Sequence, residues 1–299
     1  MDRLASMSIL VTAVEEGSLS AAARRLRTPL ATVSRKVSEL EAHLKTRLLH
    51  RSSRQLALTD AGRAYVEACR RILEDVGEAE RAASGEYGAP KGELIITAPI
   101  VFGRLHVLPI VTDFLKAFAD IDIRLVLADR VLNLVEDHVD LAVRIGALPD
   151  SSLVATRVGS IGQVVCGSPA YFADRGTPQS PAELRSHDCI TFEGLVSTHA
   201  WTFSTGRSQA DVAIRSRLTV NTAEAAIDAA MAGVGIARVL SYQCANAVAA
   251  GALTVVLKSF EPAPWPVSLV YAGQRFLPLK LRAFLDFATP RLKAGAWQA

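Results

Sequence analysis

The sequence predicts a multidomain α+β protein in which a helical N-terminal domain precedes one long helix and a two-lobed α/β domain. The chain of 299 residues is longer than a single hydrophobic core usually supports. Half of its residues are hydrophobic and 21% are charged, which indicates a globular chain. Apolar residues recur at helical spacing up to about residue 86, and from Gly92 onward strand-like and helix-like segments alternate.

Positive charge is concentrated at the N-terminal end. Residues 1–60 contain ten Lys and Arg against six Asp and Glu, a local net charge of +4. The whole chain carries +3, so the other 239 residues net −1. A basic head on a near-neutral body is typical of a nucleic-acid-binding end, although many basic faces are merely solvated.

The first sixty residues are predicted to form three helices and a β-hairpin. Gly17 is expected to end the first helix, and Ser18 is a good N-cap for the second. Thr28 is expected to cap the third helix, with Pro29 at its first position. The predicted helices cover residues 4–16, 19–26 and about 29–44.

The third predicted helix has one apolar and one polar, basic face. Val33, Val37 and Leu40 share the apolar face, while hydroxyl and basic side chains lie opposite. A helix-turn-helix needs such a second helix, because it enters the DNA major groove. The basic tip 51–54 between leucine-rich segments predicts a wing that contacts phosphates or the minor groove. An ordinary three-helix bundle with a charged surface would show the same spacing.

About fifty consecutive positions, Leu10 through Gly62, carry a more specific pattern. Its elements are Gly17-Ser18-Leu19, Ala21-Ala22, Val33-Ser34-Arg35, Leu40-Glu41, Leu48-Leu49-His50-Arg51 and Leu58-Thr59. This run resembles the signature of LysR-type transcriptional regulators. The resemblance implies that residues 1–58 form a winged helix-turn-helix domain that binds double-stranded DNA.

The same resemblance indicates which side chains face DNA. Leu30 stands where the family often has Gln, so one base-edge donor is missing there. Arg35 is the best candidate for a base contact, since arginine can bond guanine at two positions. The implied DNA-facing residues are Pro29, Leu30, Thr32, Ser34, Arg35 and Lys36, with Arg51 and Arg54 in the wing.

One helix of about 40 Å is predicted from a cap at Thr59 to about Glu86. Its apolar seam from Ala61 to Ala83 has heptad spacing between charged flanks, which favours pairing with a second subunit. The alternative is packing on its own domain. A dimer would supply the two recognition helices that a two-fold operator requires. Residues 59–90 are thus interpreted as a dimerising linker and hinge, with seam residues Tyr65, Ala68, Ile72, Val76 and Ala79.

Residues 91–299 are predicted to form two α/β lobes with crossovers near Gly162 and Pro262. Lobe I comprises about 91–162 and 266–299, and lobe II about 163–265. The expected elements include a helix near 132–138, one strand over 212–220 and a helix over 239–249. This arrangement resembles the periplasmic-binding-protein fold, which LysR-type effector domains share. The resemblance implies a small effector, acidic or aromatic, bound between the lobes.

Ligands of such folds bind at strand ends and helix N-termini. Arg144 is the candidate for an effector carboxylate, because a guanidinium can hold it at two points, but it could instead pair with a nearby acid. Phe102 could equally be core, and Asn221-Thr222 an ordinary helix cap. Pro99 takes a position where resembling regulators often offer a hydroxyl. The candidate effector residues are Pro99, Ile100, Phe102, Asp129, Arg144, Gly146, Asn221, Thr222 and Ile236.

Enzymatic chemistry is not expected. The sequence lacks GxSxG, HExxH and P-loop motifs, and its histidines and cysteines show no metal-ligand spacing, so neither cofactor nor metal is expected. His187-Asp188-Cys189 suggests a nucleophile, but Cys189 begins an apolar strand where a buried thiol is expected. A solute-binding protein would share the two-lobed fold but would need an export signal, and the N-terminus shows none.

The sequence therefore predicts a cytoplasmic regulator without membrane association. The family resemblance further implies a dimer of dimers in which the effector changes how effector domains pack. That change would alter DNA bending and polymerase access, which makes RNA polymerase a candidate partner. The effector must prefer one arrangement for any switching to occur.

Overall fold

A computed structural model describes residues 2–50, 56–84, 89–130, 132–134, 136–148, 152–192, 200–206, 208–273, 277–295 and 297. The chain divides into two compact units, Met1–Ala89 and Pro90–Ala299. The first is mainly helical and the second contains two mixed five-stranded sheets. The predicted fold class is confirmed.

The first unit begins with three helices, as predicted. Gly17, at φ +71°, ends the first, and the Ser18 hydroxyl caps the second by accepting from the Ala21 N–H. The cap predicted for the third helix is wrong. Pro29 is itself the N-cap, and the Thr28 hydroxyl donates instead to the Leu26 carbonyl. The helices are α1 (Arg3–Glu15), α2 (Leu19–Arg25) and α3 (Leu30–Leu44).

A short antiparallel hairpin and a long helix complete this unit. Strand β1 (Leu49–His50) pairs with β2 (Ala57–Leu58), in the register Leu49 to Leu58. Helix α4 (Asp60–Ser84) follows directly. The buried core of this unit joins α1, α3, the hairpin and α4. Its central residues are Leu10, Val37, Leu40, Leu48 and Val66.

The second unit contains lobe I, built on a sheet of order β4-β3-β5-β14-β6. Its first three strands run parallel to one another, while β14 and β6 run antiparallel to their neighbours. The helices, with a π-helical turn at Gly103–Val107 between the first two, cover this sheet. Its elements are β3 (Gly92–Ala98), α5 (Ile100–Phe102), α6 (Leu108–Ala117), β4 (Ile121–Leu127), β5 (Leu141–Ile145), β6 (Leu153–Ile161), β14 (Trp265–Ala272) and α10 (Leu279–Lys293).

Lobe II has the corresponding order β11-β8-β12-β7-β13, again three parallel strands followed by two antiparallel ones. A separate hairpin, β9 with β10, covers one face of this sheet and shares an apolar cluster with it. The elements are β7 (Gln163–Gly167), α7 (Pro169–Arg175), β8 (Asp188–Phe192), β9 (Ala200–Thr205), β10 (Ser208–Ala213), β11 (Arg215–Val220), α8 (Ala223–Met231), β12 (Ile236–Leu240), α9 (Ser241–Ala249) and β13 (Thr254–Val256).

The chain crosses between the sheets twice, once at Gly162 and once between β13 and β14. Three element predictions are wrong. The described residues between 132 and 138 form turns rather than a helix, and 212–220 spans two strands that belong to different sheets. The helix predicted over 239–249 begins only at Ser241, because the preceding residues belong to β12.

Among the residues that the structure describes, no helix combines the length and apolar character needed to cross a membrane. The four cysteines are buried free thiols. Burial raises the pKa of the Cys189 thiol to about 12, which disfavours the thiolate that a nucleophile needs. The hydroxyl of Tyr171 bonds His187 Nδ1 at 3.1 Å and accepts from the Asp188 N–H, so this cluster fastens α7 to β8.

Candidate functional site

Helix α3 presents one buried and one exposed face. Val33, Val37 and Leu40 are at most 3% exposed and pack in the core. The predicted DNA-facing residues of this helix lie on the remaining surface, as Pro29, Leu30, Ser34 and Arg35 are exposed and Thr32 and Lys36 half-buried. Leu30, at the start of this surface, is 47% exposed.

Arg35 is engaged only weakly in the free protein. Its guanidinium lies 3.3 Å from the Glu39 carboxylate one turn later, and two-thirds of the Arg35 side chain is exposed. Exposed ion pairs contribute about 0–1 kcal/mol, so this contact would not hinder a switch to a stronger acceptor. Arg51 and Arg54, the predicted wing residues, lie outside the described residues.

The base of the wing is fixed by Glu41 and by Thr59, whose predicted capping of α4 is confirmed. Glu41 Oε1, on α3, accepts from the backbone N–H groups of Leu48 and Leu49 at 2.8 and 3.0 Å. Thr59 Oγ1 donates to the Arg47 carbonyl and accepts from the Gly62 N–H, so it also caps α4. These bonds position the hairpin against the recognition helix.

Two neighbouring faces of helix α4 differ in burial. Gly62, Val66 and Cys69 are buried against the first unit's own core, and a Cβ at Gly62 would collide with the Leu48 carbonyl. The predicted dimer seam lies beside this face, although its Tyr65 also packs against the same core. Tyr65, Ala68 and Val76 are half-buried and Ile72 is 40% exposed, whereas the side chain of Ala79 lies outside the described residues.

In lobe I, the predicted strand-end residues meet at the start of α5. Pro99 is the N-cap of α5 and supplies no side-chain acceptor. Asp129, which follows β4, takes over this task, because its Oδ1 accepts from the Ile100 N–H at 3.1 Å. Its second oxygen, Oδ2, is buried and has no hydrogen-bond partner among the described residues.

Polar groups of lobe II approach Asp129. Glu224, in the first turn of α8, carries a buried Oε2 that likewise has no partner among the described residues. Burial raises the pKa of the Asp129 carboxyl, the Ile100 N–H opposes this shift, and the negative charge of Glu224 adds to it. The Tyr242 hydroxyl lies close to both acids, and burial raises its pKa as well. Neither Glu224 nor Tyr242 has a distinctive sequence signal.

An aromatic cluster adjoins these acids. Phe102 packs edge-on against Tyr242 and Trp297, at centroid distances of 5.5 and 5.0 Å. His106 joins the cluster, burial lowers its pKa, and its Nε2 has no partner in the described part of the chain. Phe102 is fully buried, so in this structure it belongs to the core and offers no surface to a ligand.

The other predicted effector residues differ in their local environments. Arg144 forms no ion pair among the described residues, and its Nη2 donates to the Leu132 carbonyl. Gly146, at φ +109°, adopts a conformation that favours glycine, and its N–H donates to the Pro266 carbonyl. Asn221 is exposed, and the Thr222 hydroxyl caps α8. Ile236 is fully buried in the apolar cluster beneath the β9–β10 hairpin, so we assign it to the core.

A helix-turn-helix with a hairpin wing, followed by a two-lobed α/β unit, defines a DNA-binding regulator with a ligand-responsive domain. Residues 4–63 match the family "bacterial regulatory helix-turn-helix protein, lysR family", and residues 88–293 match the "LysR substrate binding domain". The chain belongs to the LysR family of transcriptional regulators, which are not enzymes.

Individual relatives span nearly the whole chain. An HTH-type transcriptional regulator of Xanthomonas campestris is 35% identical over 96% of this chain and 85% of its own length. An HTH-type transcriptional repressor of Pseudomonas aeruginosa is also 35% identical, over 96% and 91%. The structure of CrgA, a LysR-type transcriptional regulator from Neisseria meningitidis, shares 32% identity and a TM-score of 0.61 over 96% of this chain and 98% of that one.

Proposed function

We propose that this regulator reads a two-fold DNA operator through paired α3 helices and responds to a small effector bound between its lobes. The exposed polar face of α3, set opposite a fully buried apolar face, is the observation that carries the proposal. In this proposal Pro29, Leu30, Thr32, Ser34, Arg35 and Lys36 contact the major groove. Arg51 and Arg54 contact phosphates from the wing.

Pairing of the heads requires a dimer, and the seam of α4 is the proposed contact. Ile72 supports this role because a 40% exposed isoleucine on a helix with charged flanks has apolar surface left to bury. Tyr65, Ala68, Val76 and Ala79 complete the proposed seam. Two such dimers form the working tetramer, which acts in the cytoplasm and alters access of RNA polymerase to the promoter.

The effector is proposed to bind near Asp129 and the first turn of α8. Two buried carboxylate oxygens that have no partner among the described residues lie there, and buried polar atoms are normally hydrogen-bonded. They favour a ligand that brings hydrogen-bond donors to this side, in addition to the acidic or aromatic group predicted from the family resemblance. Pro99, Ile100, Arg144, Gly146, Asn221 and Thr222 remain proposed contacts at the adjoining strand and helix ends.

The proposal is tested by binding of the full-length protein to DNA flanking its own coding region. We would compare wild type, Arg35→Ala and Arg175→Ala. Arg175 is a matched control, because it is also exposed and ion-paired but lies in the second unit. One bidentate base contact contributes about 1–3 kcal/mol of discrimination, so Arg35→Ala should lower operator affinity about 5- to 150-fold while Arg175→Ala does not.

A salt titration separates base contacts from phosphate contacts. Arg51→Ala and Arg54→Ala should weaken binding to operator and unrelated DNA alike, and each should reduce the salt slope by about one unit. If wild type and Arg35→Ala bind all sequences equally weakly, α3 does not read sequence and the proposal is wrong.

A further inference from the structure

Lobe II contains a buried arginine that none of the preceding roles uses. Arg238 is the third residue of β12 and is only 4% exposed. Its guanidinium carbon lies 5.0 Å from the centre of the Phe203 ring in β9. The side chain therefore points to the face of the sheet that the β9–β10 hairpin covers, the same face that carries Ile236 two residues earlier.

The charge of Arg238 is not balanced within the described residues. The ion pairs of lobe II join Arg175 to Asp174 and join Arg215 and Arg217 to Asp188, but none reaches Arg238. The Arg238 Nε–H is buried and has no hydrogen-bond partner in the described part of the chain. Burial lowers the pKa of the guanidinium to about 10, so it is still protonated at neutral pH. A buried cation without a partner is strongly unfavourable, which makes an external anion attractive.

Hydroxyl groups lie on the same face beside Arg238. Strands β12 and β8 are parallel neighbours in the register Ala237 to Ile190, which places Arg238 next to Thr191. Thr191 is 2% exposed, and its hydroxyl lies 2.6 Å from that of Ser216 and 3.0 Å from that of Thr219. Hydroxyls can rotate to donate to an added acceptor, so this cluster can complement a guanidinium around an oxyanion.

We propose that Arg238 is the centre of an oxyanion-binding site in lobe II, with Thr191 at its side, which takes the carboxylate or phosphoryl group of a small ligand. The planar guanidinium suits both groups, since each offers two oxygens to its paired N–H donors. This site lies on the opposite face of the sheet from α8, whose first turn contributes to the proposed effector cleft. The proposal does not require the effector assignment, because its test needs neither effector nor DNA.

The test measures thermal unfolding of the full-length protein with acetate or phosphate as probe, against chloride at matched ionic strength. All three tryptophans, Trp201, Trp265 and Trp297, lie in the second unit, so their fluorescence reports on the unit that contains the site. The variants are Arg238→Met, Arg238→Lys and the matched surface control Arg175→Met. Acetate stands for a carboxylate ligand and phosphate for a phosphoryl ligand, so the two arms distinguish the sources.

In the expected result, the Tm of wild type and Arg175→Met rises saturably with at least one probe. Arg238→Met loses the response, with an apparent affinity at least about tenfold lower, and Arg238→Lys keeps only part of it because its ammonium lacks the two-point geometry. Without probe, Arg238→Met should be as stable as wild type or more so, since it removes a buried unpaired charge. Thr191→Val should weaken binding severalfold.

Two results would overturn the site. Wild type could show no saturable response to either probe, or Arg238→Met could respond as wild type does. In the first case Glu193→Gln gives the reason, because Glu193 follows β8 in the sequence and offers a carboxylate within the chain. If this variant then binds the probes, the chain's own acid occupies Arg238 and no external ligand is needed.

Discussion

The two lobes of the second unit share one pattern of three parallel and two antiparallel strands but use arginine differently. The middle strand of each sheet carries an arginine, which is Arg144 in β5 and Arg238 in β12. Arg144 is half-exposed and donates to the Leu132 carbonyl. Arg238 is almost fully buried, lies against Phe203 and leaves its Nε–H without a partner among the described residues.

Arginine at the same place in the two sheets therefore has two different roles. In lobe I the guanidinium is a structural donor that holds the irregular segment after β4 against the sheet. In lobe II it is a charge for which the described residues supply no counter-ion. The helices that follow the parallel strands differ similarly. Helix α8 is capped by its own Thr222, whereas α5 depends on Asp129, a residue 29 positions away.

The largest expected difference between the lobes concerns two tightly packed glycines. A Cβ at Gly235 in lobe II would collide with the backbone carbonyl of Asp188, which cannot move without disturbing β8. A Cβ at Gly103 in lobe I would meet the end of the flexible Leu127 side chain. We expect Gly235→Ala to destabilise the second unit by about 3 kcal/mol.

Gly103→Ala should cost less than about 1 kcal/mol, because the helix preference of alanine offsets part of the crowding. For a unit of this size, tryptophan fluorescence should show a Tm loss of about 6–12 °C for Gly235→Ala and less than about 4 °C for Gly103→Ala. Equal losses would mean that the two lobes tolerate a new methyl group equally well.

The next difference concerns the two arginines. Arg144→Met leaves the Leu132 carbonyl without its donor, so we expect a loss of about 1–3 kcal/mol. Arg238→Met is expected to cost nothing in the absence of an anion. Thermal unfolding of both variants in chloride measures the contrast directly. A larger loss for Arg238→Met than for Arg144→Met would reverse the comparison.

How well the sequence predicted each element depended on how local its determinants are. The Gly17 stop and the Ser18 cap follow from adjacent residues, and both were predicted. Strand β6 was missed because it is an edge strand. Among the described strands it pairs only with β14, a register shift interrupts that pairing, and its exposure does not alternate regularly. Residues 212–220 looked like one strand because nothing at Ile214 signals a change from the hairpin to the sheet.

The candidate sites divide in the same way. The DNA-facing surface lies on one helix, so a spacing of three and four residues was enough to separate it from the core. The residues of the proposed oxyanion site and of the proposed effector cleft are far apart in sequence, and the fold brings them together. Glu224 acts electrostatically on Asp129 across 95 positions of sequence, and no motif in the sequence marks Arg238 as a site residue. For Phe102 the sequence left core and pocket wall open, and for Ile236 it gave no sign of the burial that the structure shows for both residues.

A smaller effect is expected at the local cap of α8. Thr222→Ala removes the acceptor of the Ala225 N–H, and losses of this kind typically cost about 1 kcal/mol. Thr222→Ser keeps the hydroxyl and should be close to wild type. Both variants can be followed by tryptophan fluorescence. If Thr222→Ala is no less stable than Thr222→Ser, the hydroxyl does not cap the helix in solution.

The smallest expected effect depends on pH and concerns the remote cap of α5. Burial raises the pKa of the Asp129 carboxyl in the folded protein, so the folded state binds this proton more tightly than the unfolded state does. Below the ordinary carboxyl pKa of about 4, Asp129 is protonated in both states and does not lower the free energy of unfolding. As the pH rises from there through the raised pKa of the folded state, ionisation of Asp129 should lower that free energy progressively.

Asp129→Asn keeps an oxygen that can accept from Ile100 but cannot ionise. Its Tm relative to wild type should therefore rise from about pH 4 upward and become constant above the folded pKa of Asp129. Asp228→Asn, at an exposed position on α8, is the matched control. If the Tm of Asp129→Asn and the Tm of wild type changed with pH in parallel, Asp129 Oδ2 would already be hydrogen-bonded to water or bound to a cation in solution. Because Glu224 contributes to the shift, Glu224→Gln should reduce the pH trend without abolishing it, since burial is the larger cause.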